Sequence, residues 1–129
     1  MIQTKPGSVP KYKRYLDEML GKPTQDIWDD LKSLGGLGAI VAERIDYDTQ
    51  KPEALLERII KASCPDGGLV ADFNGGSGTT AAVAEKLGRR WVTTDIGKPS
   101  CMVMRKRLID QDAKPFLYQA IGDYQVEAA

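Results

Sequence analysis

Residues 70–80 read Val-Ala-Asp-Phe-Asn-Gly-Gly-Ser-Gly-Thr-Thr, and the predicted architecture follows from this stretch. A short apolar run at residues 69–73 predicts a buried strand. Gly75, Gly76 and Gly78 allow the backbone to turn sharply and to lie close to a ligand. The two threonines then begin a helical run. A strand, a glycine turn and a helix N-terminus in this order are typical of a site for a nucleotide-like cofactor.

A second strand-like run ends at Asp95. An acid about 20 residues past a glycine turn is placed to accept hydrogen bonds from ribose hydroxyls. A plain flexible turn would not explain the strand, the helix and the distal acid together. The glycine spacing also differs from G-x-G-x-x-G, because no further glycine follows Gly78 at that interval. This spacing disfavours a nucleotide-dependent oxidoreductase.

Two ordered motifs resemble those of the DNA amino-methyltransferases, bacterial restriction-modification enzymes that methylate the exocyclic amine of adenine or cytosine. The first motif is the glycine stretch with its helix and Asp95-Ile96, which is similar to the family's S-adenosylmethionine (SAM) site. The second is Thr-Gln-Lys-Pro at residues 49–52, which resembles a segment that lines the cofactor pocket. In the subgroup whose cofactor half follows the catalytic half, this segment precedes the glycine turn, as here.

The resemblance implies SAM as the cofactor and assigns it a set of contacts. The methionine carboxylate would meet backbone amides of the glycine turn and the following helix, and residues 49–51 would close over the methionine end. Asp95 would accept from the ribose, Ile96 would lie against the adenine, and Asp72 would support the loop or the methionine ammonium. The implied cofactor-binding residues are Thr49, Gln50, Lys51, Pro52, Asp72, Asn74, Gly75, Gly76, Gly78, Thr79, Thr80, Asp95 and Ile96.

The predicted fold class is α/β, a partial Rossmann-like SAM-dependent methyltransferase fold with a parallel sheet and flanking helices. Residues 116–121 are expected to add a third strand, which gives the strand order 3-2-1. We expect a linker or substrate-side segment at residues 1–48 and a SAM-binding α/β domain at residues 49–129.

The sequence also predicts how the helix after residue 52 begins and which way the basic residues 105–107 face. Pro52 suits the first position of a helix, and Thr49 or Gln50 can cap that helix. Residues 105–107 read Arg-Lys-Arg, which could be a nucleic-acid patch. On a helix these three side chains point in different directions, so a solvated face is favoured.

Two departures from the family pattern bear on function. An aromatic residue is usual where Asn74 stands, and its ring contacts the cofactor, so we expect weakened SAM binding. The catalytic motif of the family contains Pro-Pro, and this chain has no Pro-Pro dipeptide. We therefore expect the cofactor-binding part of a DNA amino-methyltransferase, without catalytic residues and inactive alone. The alternative is a non-catalytic binding or assembly module with a degenerate cofactor site.

Composition bounds the partners of the chain. The 129 residues carry a formal net charge of zero, which argues against strong non-specific nucleic-acid binding by this piece alone. The family resemblance implies DNA as a partner of the complete enzyme. The two cysteines form no disulfide framework, histidine is absent, and no apolar run approaches the ~20 residues of a membrane span. We expect a cytoplasmic protein with no membrane or metal partner, whose exposed first strand pairs with a catalytic half or with itself.

Overall fold

The computed structural model describes residues 24–35 and 41–122, so the predicted segment 1–48 lies partly outside the described residues. Strands and helices alternate along the chain, as the sequence predicts. The elements are a 3-10 helix at Val41–Glu43, α1 at Glu53–Ser63, β1 at Leu69–Asp72, α2 at Thr79–Lys86, β2 at Arg90–Thr93 and α3 at Lys98–Asp110. Among the described residues, none of these helices has the length and apolar character that crossing a membrane requires.

The two strands form a parallel sheet in which Leu69 lies opposite Arg90. Parallel strands need a crossover connection, and α2 supplies it. Side chains alternate between the two faces of the sheet, so Val70 and Trp91 pack toward the helices. Leu69 and Val92 point to the opposite face and are 55% and 46% exposed. The sheet is therefore covered on one face.

The core lies between α1, α2 and the covered face of the sheet. Ile60 of α1 is buried against Val83 and Ala84 of α2. Residues 81–84 read Ala-Ala-Val-Ala and are all buried, because small side chains let α2 approach the strands closely. Partly buried apolar side chains complete this cluster: Leu56, Cys64, Val70, Leu87 and Trp91.

The short segment 24–35 is attached to α1. Both oxygens of the Asp30 carboxylate accept hydrogen bonds from the Arg58 guanidinium. The same guanidinium lies 5.2 Å from the centre of the Trp28 ring. Such a contact between a cation and an aromatic face is attractive, so Arg58 holds this segment through two different interactions.

The predicted third strand is wrong, because residues 116–121 form no strand and the described part of the chain has a two-stranded sheet. Contacts at residues 114 and 116 fix where this segment begins, and the Tyr118 ring lies 5.4 Å from the Arg105 guanidinium of α3. The Lys114 backbone N–H donates to Glu85 of α2 at 2.9 Å, and the Phe116 ring packs on Trp91 with centroids 5.5 Å apart. Glu85 belongs to α2, and the Trp91 side chain extends from β2 toward the helices, so Lys114 and Phe116 lie on the helix-covered side of the sheet.

The predicted cap of α1 is also wrong. Pro52 is the N-cap residue, with an extended backbone, and neither Thr49 nor Gln50 bonds the helix start. The Glu43 carboxylate instead accepts from the Glu53 backbone N–H at 3.0 Å. The Gln50 side chain donates to the Glu43 carbonyl at 2.6 Å and so fixes the capping residue. A residue ten positions upstream thus satisfies an N–H that has no partner within the helix.

Candidate functional site

The glycine turn joins β1 to α2 and requires glycine on two grounds. Gly76 and Gly78 have φ angles of 53° and 77°, which side-chain-bearing residues adopt with strain. A Cβ on Gly78 would lie 2.3 Å from Met104 Cγ. A Cβ on Gly75 would lie 2.2 Å from the Thr93 hydroxyl. The turn is therefore packed directly against α3 and the end of β2.

Asp72 connects the two arms of this turn. One carboxylate oxygen accepts from the Asn74 backbone N–H at 3.1 Å, and the other accepts from the Thr80 hydroxyl at 2.6 Å. The Asp72 carbonyl also accepts from the Thr94 N–H, which extends the pairing with β2. Asp72 thus supports the loop geometrically, and its contact with the methionine ammonium stays a prediction.

Asp95 closes the site at the end of β2. Its carboxylate accepts from the Gly97 backbone N–H at 2.7 Å and from the Gly76 backbone N–H at 2.9 Å. These two hydrogen bonds hold the pKa of Asp95 below its ordinary value, against partial desolvation and with help from the Ser100 hydroxyl. An ionised carboxylate has four acceptor positions, so Asp95 can still accept from a ligand. The next residue, Ile96, is fully exposed.

The segment before α1 lies against the glycine turn. The Thr79 hydroxyl donates to the Lys51 carbonyl at 3.3 Å. The Tyr47 hydroxyl is 2.8 Å from the Ser100 hydroxyl, and the Tyr47 ring lies 3.5 Å from the position of a Cβ on Gly76. The structure therefore brings residues of three separate stretches of sequence to one end of the sheet.

Sequence reasoning missed Arg107, which is not part of a solvated face. Its side chain is 9% exposed, and its guanidinium donates to Glu53 at 2.9 Å. The helical spacing holds a signal for this, because Arg107 follows the buried Met104 by three positions and so lies on the same face. Tyr47 was also missed, and its hydroxyl contact with Ser100 spans 53 residues, which no local pattern reports.

Glu53, at the first position of α1, carries a pair of charged contacts. Arg107 and Lys86 donate to its two carboxylate oxygens, Lys86 at 2.6 Å. Burial opposes the ionised form, but the hydrogen bonds and charges of Lys86 and Arg107 outweigh burial and lower the pKa of Glu53. The ionised Glu53 carboxylate therefore links the start of α1 to Lys86 of α2 and to Arg107 of α3.

A cavity of about 530 Å³ lies beside this site. It shares Tyr47, Gln50 and Pro52 with the segment before α1, and its other walls include Trp28 and Leu31. No residue of the glycine turn lines it. We therefore place the candidate site at the glycine turn because of the hydrogen bonds that connect it to Asp95 and Lys51, and not at the cavity because of its size. Within residues 24–35 and 41–122 no cluster of histidine, cysteine or acidic side chains suited to a metal ion occurs.

Comparison with known proteins identifies the family. A family model described as DNA methylase, of the N6/N4 methyltransferases, matches residues 2–106. The chain therefore belongs to this DNA methylase family. The predicted resemblance to restriction-modification DNA methyltransferases is confirmed.

Individual relatives give the extent of the match. The type II methyltransferase M2.DpnII of Streptococcus pneumoniae is 44% identical over 89 residues, which cover 68% of this chain and 31% of that protein. M.BamHI of Bacillus amyloliquefaciens is 47% identical over 58 residues, which cover 45% of this chain and 13% of that protein. The chain thus spans about a third of the length of M2.DpnII.

A solved structure agrees with the fold. The crystal structure of the M1.HpyAVI–SAM complex matches with a TM-score of 0.51 and 32% identity, over 68% of this chain and 42% of that chain. The predicted α/β methyltransferase fold, with a parallel sheet and flanking helices, is confirmed.

Proposed function

We propose that this chain is the SAM-binding part of a site-specific DNA amino-methyltransferase, which in its complete form methylates the exocyclic amine of adenine or cytosine. One observation carries the proposal: residues 49–52, the glycine turn and Asp95 meet at the carboxyl end of two parallel strands. Open α/β sheets bind their ligands at this end. The methyltransferase relatives, and the neighbouring structure that is a SAM complex, support the same cofactor.

The methionine end of SAM is proposed to lie at the first turn of α2. The backbone N–H groups of all three glycines already have acceptors, namely the Thr94 carbonyl, the Asp95 carboxylate and the Gly75 carbonyl. The first N–H groups of a helix have no acceptor within it, and the helix dipole favours an anion there. The methionine carboxylate is therefore directed to the amides of Thr79 and Thr80.

The ribose and adenine are proposed to follow along the end of β2. Asp95 is ionised and keeps unused acceptor positions for the ribose hydroxyls. Ile96 presents an exposed apolar side chain next to it, on which the adenine can pack. When bound, SAM supplies the activated methyl group, and the residues of this chain position it.

Calorimetric titration of the purified chain with SAM, with NAD as the control ligand, tests this function. We expect SAM to bind and NAD not to bind. Asp95→Asn should weaken SAM binding, because one acceptor oxygen of the carboxylate is replaced by an amide donor. Asp110→Asn, at an exposed carboxylate paired with Lys106, is the matched control and should leave SAM affinity unchanged. Binding of NAD, or of neither ligand, would contradict the proposal.

Methyl transfer itself is proposed to require a catalytic half. In such enzymes the amine attacks the methyl group directly, after the target base is swung out of the helix. The Pro-Pro motif that holds the base is not in this sequence. We expect no transfer from labelled SAM to duplex DNA by the isolated chain, and transfer after addition of a separately produced catalytic half. Transfer by the isolated chain would contradict this division of roles.

A second candidate function is a non-catalytic binding or assembly module. Asn74 favours it, because its side chain is exposed at the position where the family usually places a cofactor-contacting ring. The uncovered apolar face of the sheet favours it as well. Absence of SAM binding together with stable association of the chain with a protein partner would make this function the better one.

A further inference from the structure

One guanidinium contacts three parts of the candidate site. Arg107 donates to the Glu53 carboxylate at 2.9 Å, to the Thr79 hydroxyl at 2.8 Å and to the Ser77 carbonyl at 3.3 Å. Thr79 and Ser77 are 4% and 5% exposed, and the Arg107 side chain is 9% exposed. The contacts are thus made in the interior, where charge-assisted hydrogen bonds are strong.

These contacts dictate the direction of the Thr79 hydroxyl. A guanidinium only donates, so the hydroxyl oxygen must accept from Arg107. The hydroxyl proton then points to the Lys51 carbonyl, 3.3 Å away, because a carbonyl only accepts. The Ser77 hydroxyl, 3.1 Å from the Thr79 hydroxyl, is then the donor of that pair. Arg107 therefore orients a hydroxyl that links the segment before α1 to the glycine turn.

We propose that Arg107 is a positioning residue for the cofactor, which holds the Lys51 segment against the glycine turn so that the methionine end of SAM is enclosed. The inference rests on the proposed SAM-binding function. Arg107 does not touch the cofactor. It acts through Thr79 on one side and through Glu53, which begins α1 directly after residues 49–52, on the other.

The shape of the guanidinium is necessary for this role. Its planar fork presents one terminal nitrogen to Glu53 while the other bonds Thr79 and Ser77. A lysine ammonium is a single point of charge and cannot reach both sides in a fixed geometry. Arg107→Lys therefore keeps the charge next to Glu53 and removes the connection.

The test compares two ligands on wild type and on Arg107→Lys. SAM carries the methionine end, and 5′-methylthioadenosine lacks it. We expect the Kd for SAM to rise about tenfold, a change of ~1.4 kcal/mol, while the Kd for 5′-methylthioadenosine changes less than about threefold. Lys106→Gln, on the exposed face of the same helix, is the control and should alter neither Kd. An equal loss for both ligands, or no loss for SAM, would overturn the proposal.

A second measurement needs no ligand. Amide hydrogen exchange of residues 49–51 in the free chain should be faster in Arg107→Lys than in wild type, and exchange in β1 should be unchanged. If Arg107→Lys does not fold, Thr79→Val, which removes the hydroxyl, should release the same segment, and Thr79→Ser should not. Unchanged exchange would overturn the positioning role. Failure of wild type to bind SAM would instead refute the proposed function, and the exchange result would still decide the role of Arg107.

Discussion

Gly78 shows most directly how a single residue determines the site. Its φ of 77° and the 2.3 Å that would separate a Cβ at this position from Met104 Cγ are independent obstacles to any side chain. We expect Gly78→Ala to destabilise the chain by ~2–4 kcal/mol, from overpacking and from backbone strain together. Denaturant unfolding measures this difference.

Gly67 provides the matched control for Gly78. It has a similar φ of 69°, but a Cβ there meets nothing within 4 Å. Gly67→Ala should therefore cost only the backbone term, about 1–2 kcal/mol. Equal losses of stability for the two substitutions would show that contact with Met104 does not constrain the turn.

We expect the affinity for SAM to depend on the side chain at position 74, where this chain has Asn74. Its backbone N–H bonds Asp72, while its side chain is exposed and free to be replaced. We expect Asn74→Phe to tighten SAM binding roughly tenfold, because a ring adds ~1–2 kcal/mol of apolar contact with the cofactor. Titration with SAM checks this, with Asn74→Ala as the control that adds no ring. Equal Kd values for the two variants would contradict the expectation.

The helix start of α1 depends on a contact that crosses the predicted domain boundary at residue 49. Glu43 accepts from the Glu53 N–H, and loss of such a cap costs about 0.5–2 kcal/mol. Glu43→Ala should lower the free energy of unfolding by that amount. Glu57→Ala, which removes an exposed pair with Lys61, should cost less than half as much. A chain that begins at residue 49 would lose this cap and also the contacts of Asp30 and Trp28 with Arg58 and of Tyr47 with Ser100, so it should lose more stability than Glu43→Ala.

At the level of elements, the sequence predicts what local chemistry determines. The glycine turn, the helix after it and Asp95 follow from residue types at fixed spacing, and all three take their expected places. Residues 116–121 are apolar enough for a strand, but the anchoring of Phe116 on Trp91 is a tertiary contact. Secondary-structure propensity carries no information about such a contact, so the predicted strand fails.

The candidate site also contains some residues that local sequence predicts and others that only tertiary contacts bring into it. Local spacing identifies the residues of the glycine turn and Asp95. The cap from Glu43 and the contacts of Arg107 join residues that are not adjacent in sequence. Local rules predict a cap from Thr49 or Gln50 and a solvated position for Arg107 instead. Arg107 sits in a run of three cations, and its three-residue spacing from the buried Met104, together with its burial, distinguishes it from Arg105 and Lys106.

For the molecule as a whole, the contacts of the Glu53 carboxylate should make the free energy of unfolding depend on pH. Its folded-state pKa is lowered below the ordinary 4.5, so its contacts stabilise the fold fully above about pH 4.5. This contribution is lost as the pH falls through the lowered value. Glu53→Gln should therefore flatten the loss of stability in acid, as measured by thermal unfolding across pH. Glu57→Gln, at the exposed pair with Lys61, is the control, and a wild-type-like slope in Glu53→Gln would contradict the assignment.

The uncovered face of the sheet should govern association. Leu69 of β1, Val92 of β2 and Phe73, which directly follows β1, are 55%, 46% and 67% exposed, an unusual amount for large apolar residues. We expect the chain to self-associate or to pair with a catalytic half, and Val92→Thr with Leu69→Lys to reduce association in light scattering. Ile109→Ser, at an apolar residue of α3 that is 56% exposed, is the control. A clean wild-type monomer at high concentration would contradict the expectation.

The contacts of Arg107 also have a consequence for the order of folding. The unit of β1, α2 and β2 is continuous in sequence, so its contacts close short loops. Arg107 joins Glu53 across 54 residues and Thr79 across 28. Closing longer loops costs more chain entropy, and contacts of this kind form late. We therefore expect the strand-helix-strand unit to form before the contact between Arg107 and Glu53, so that the candidate site is completed after the sheet.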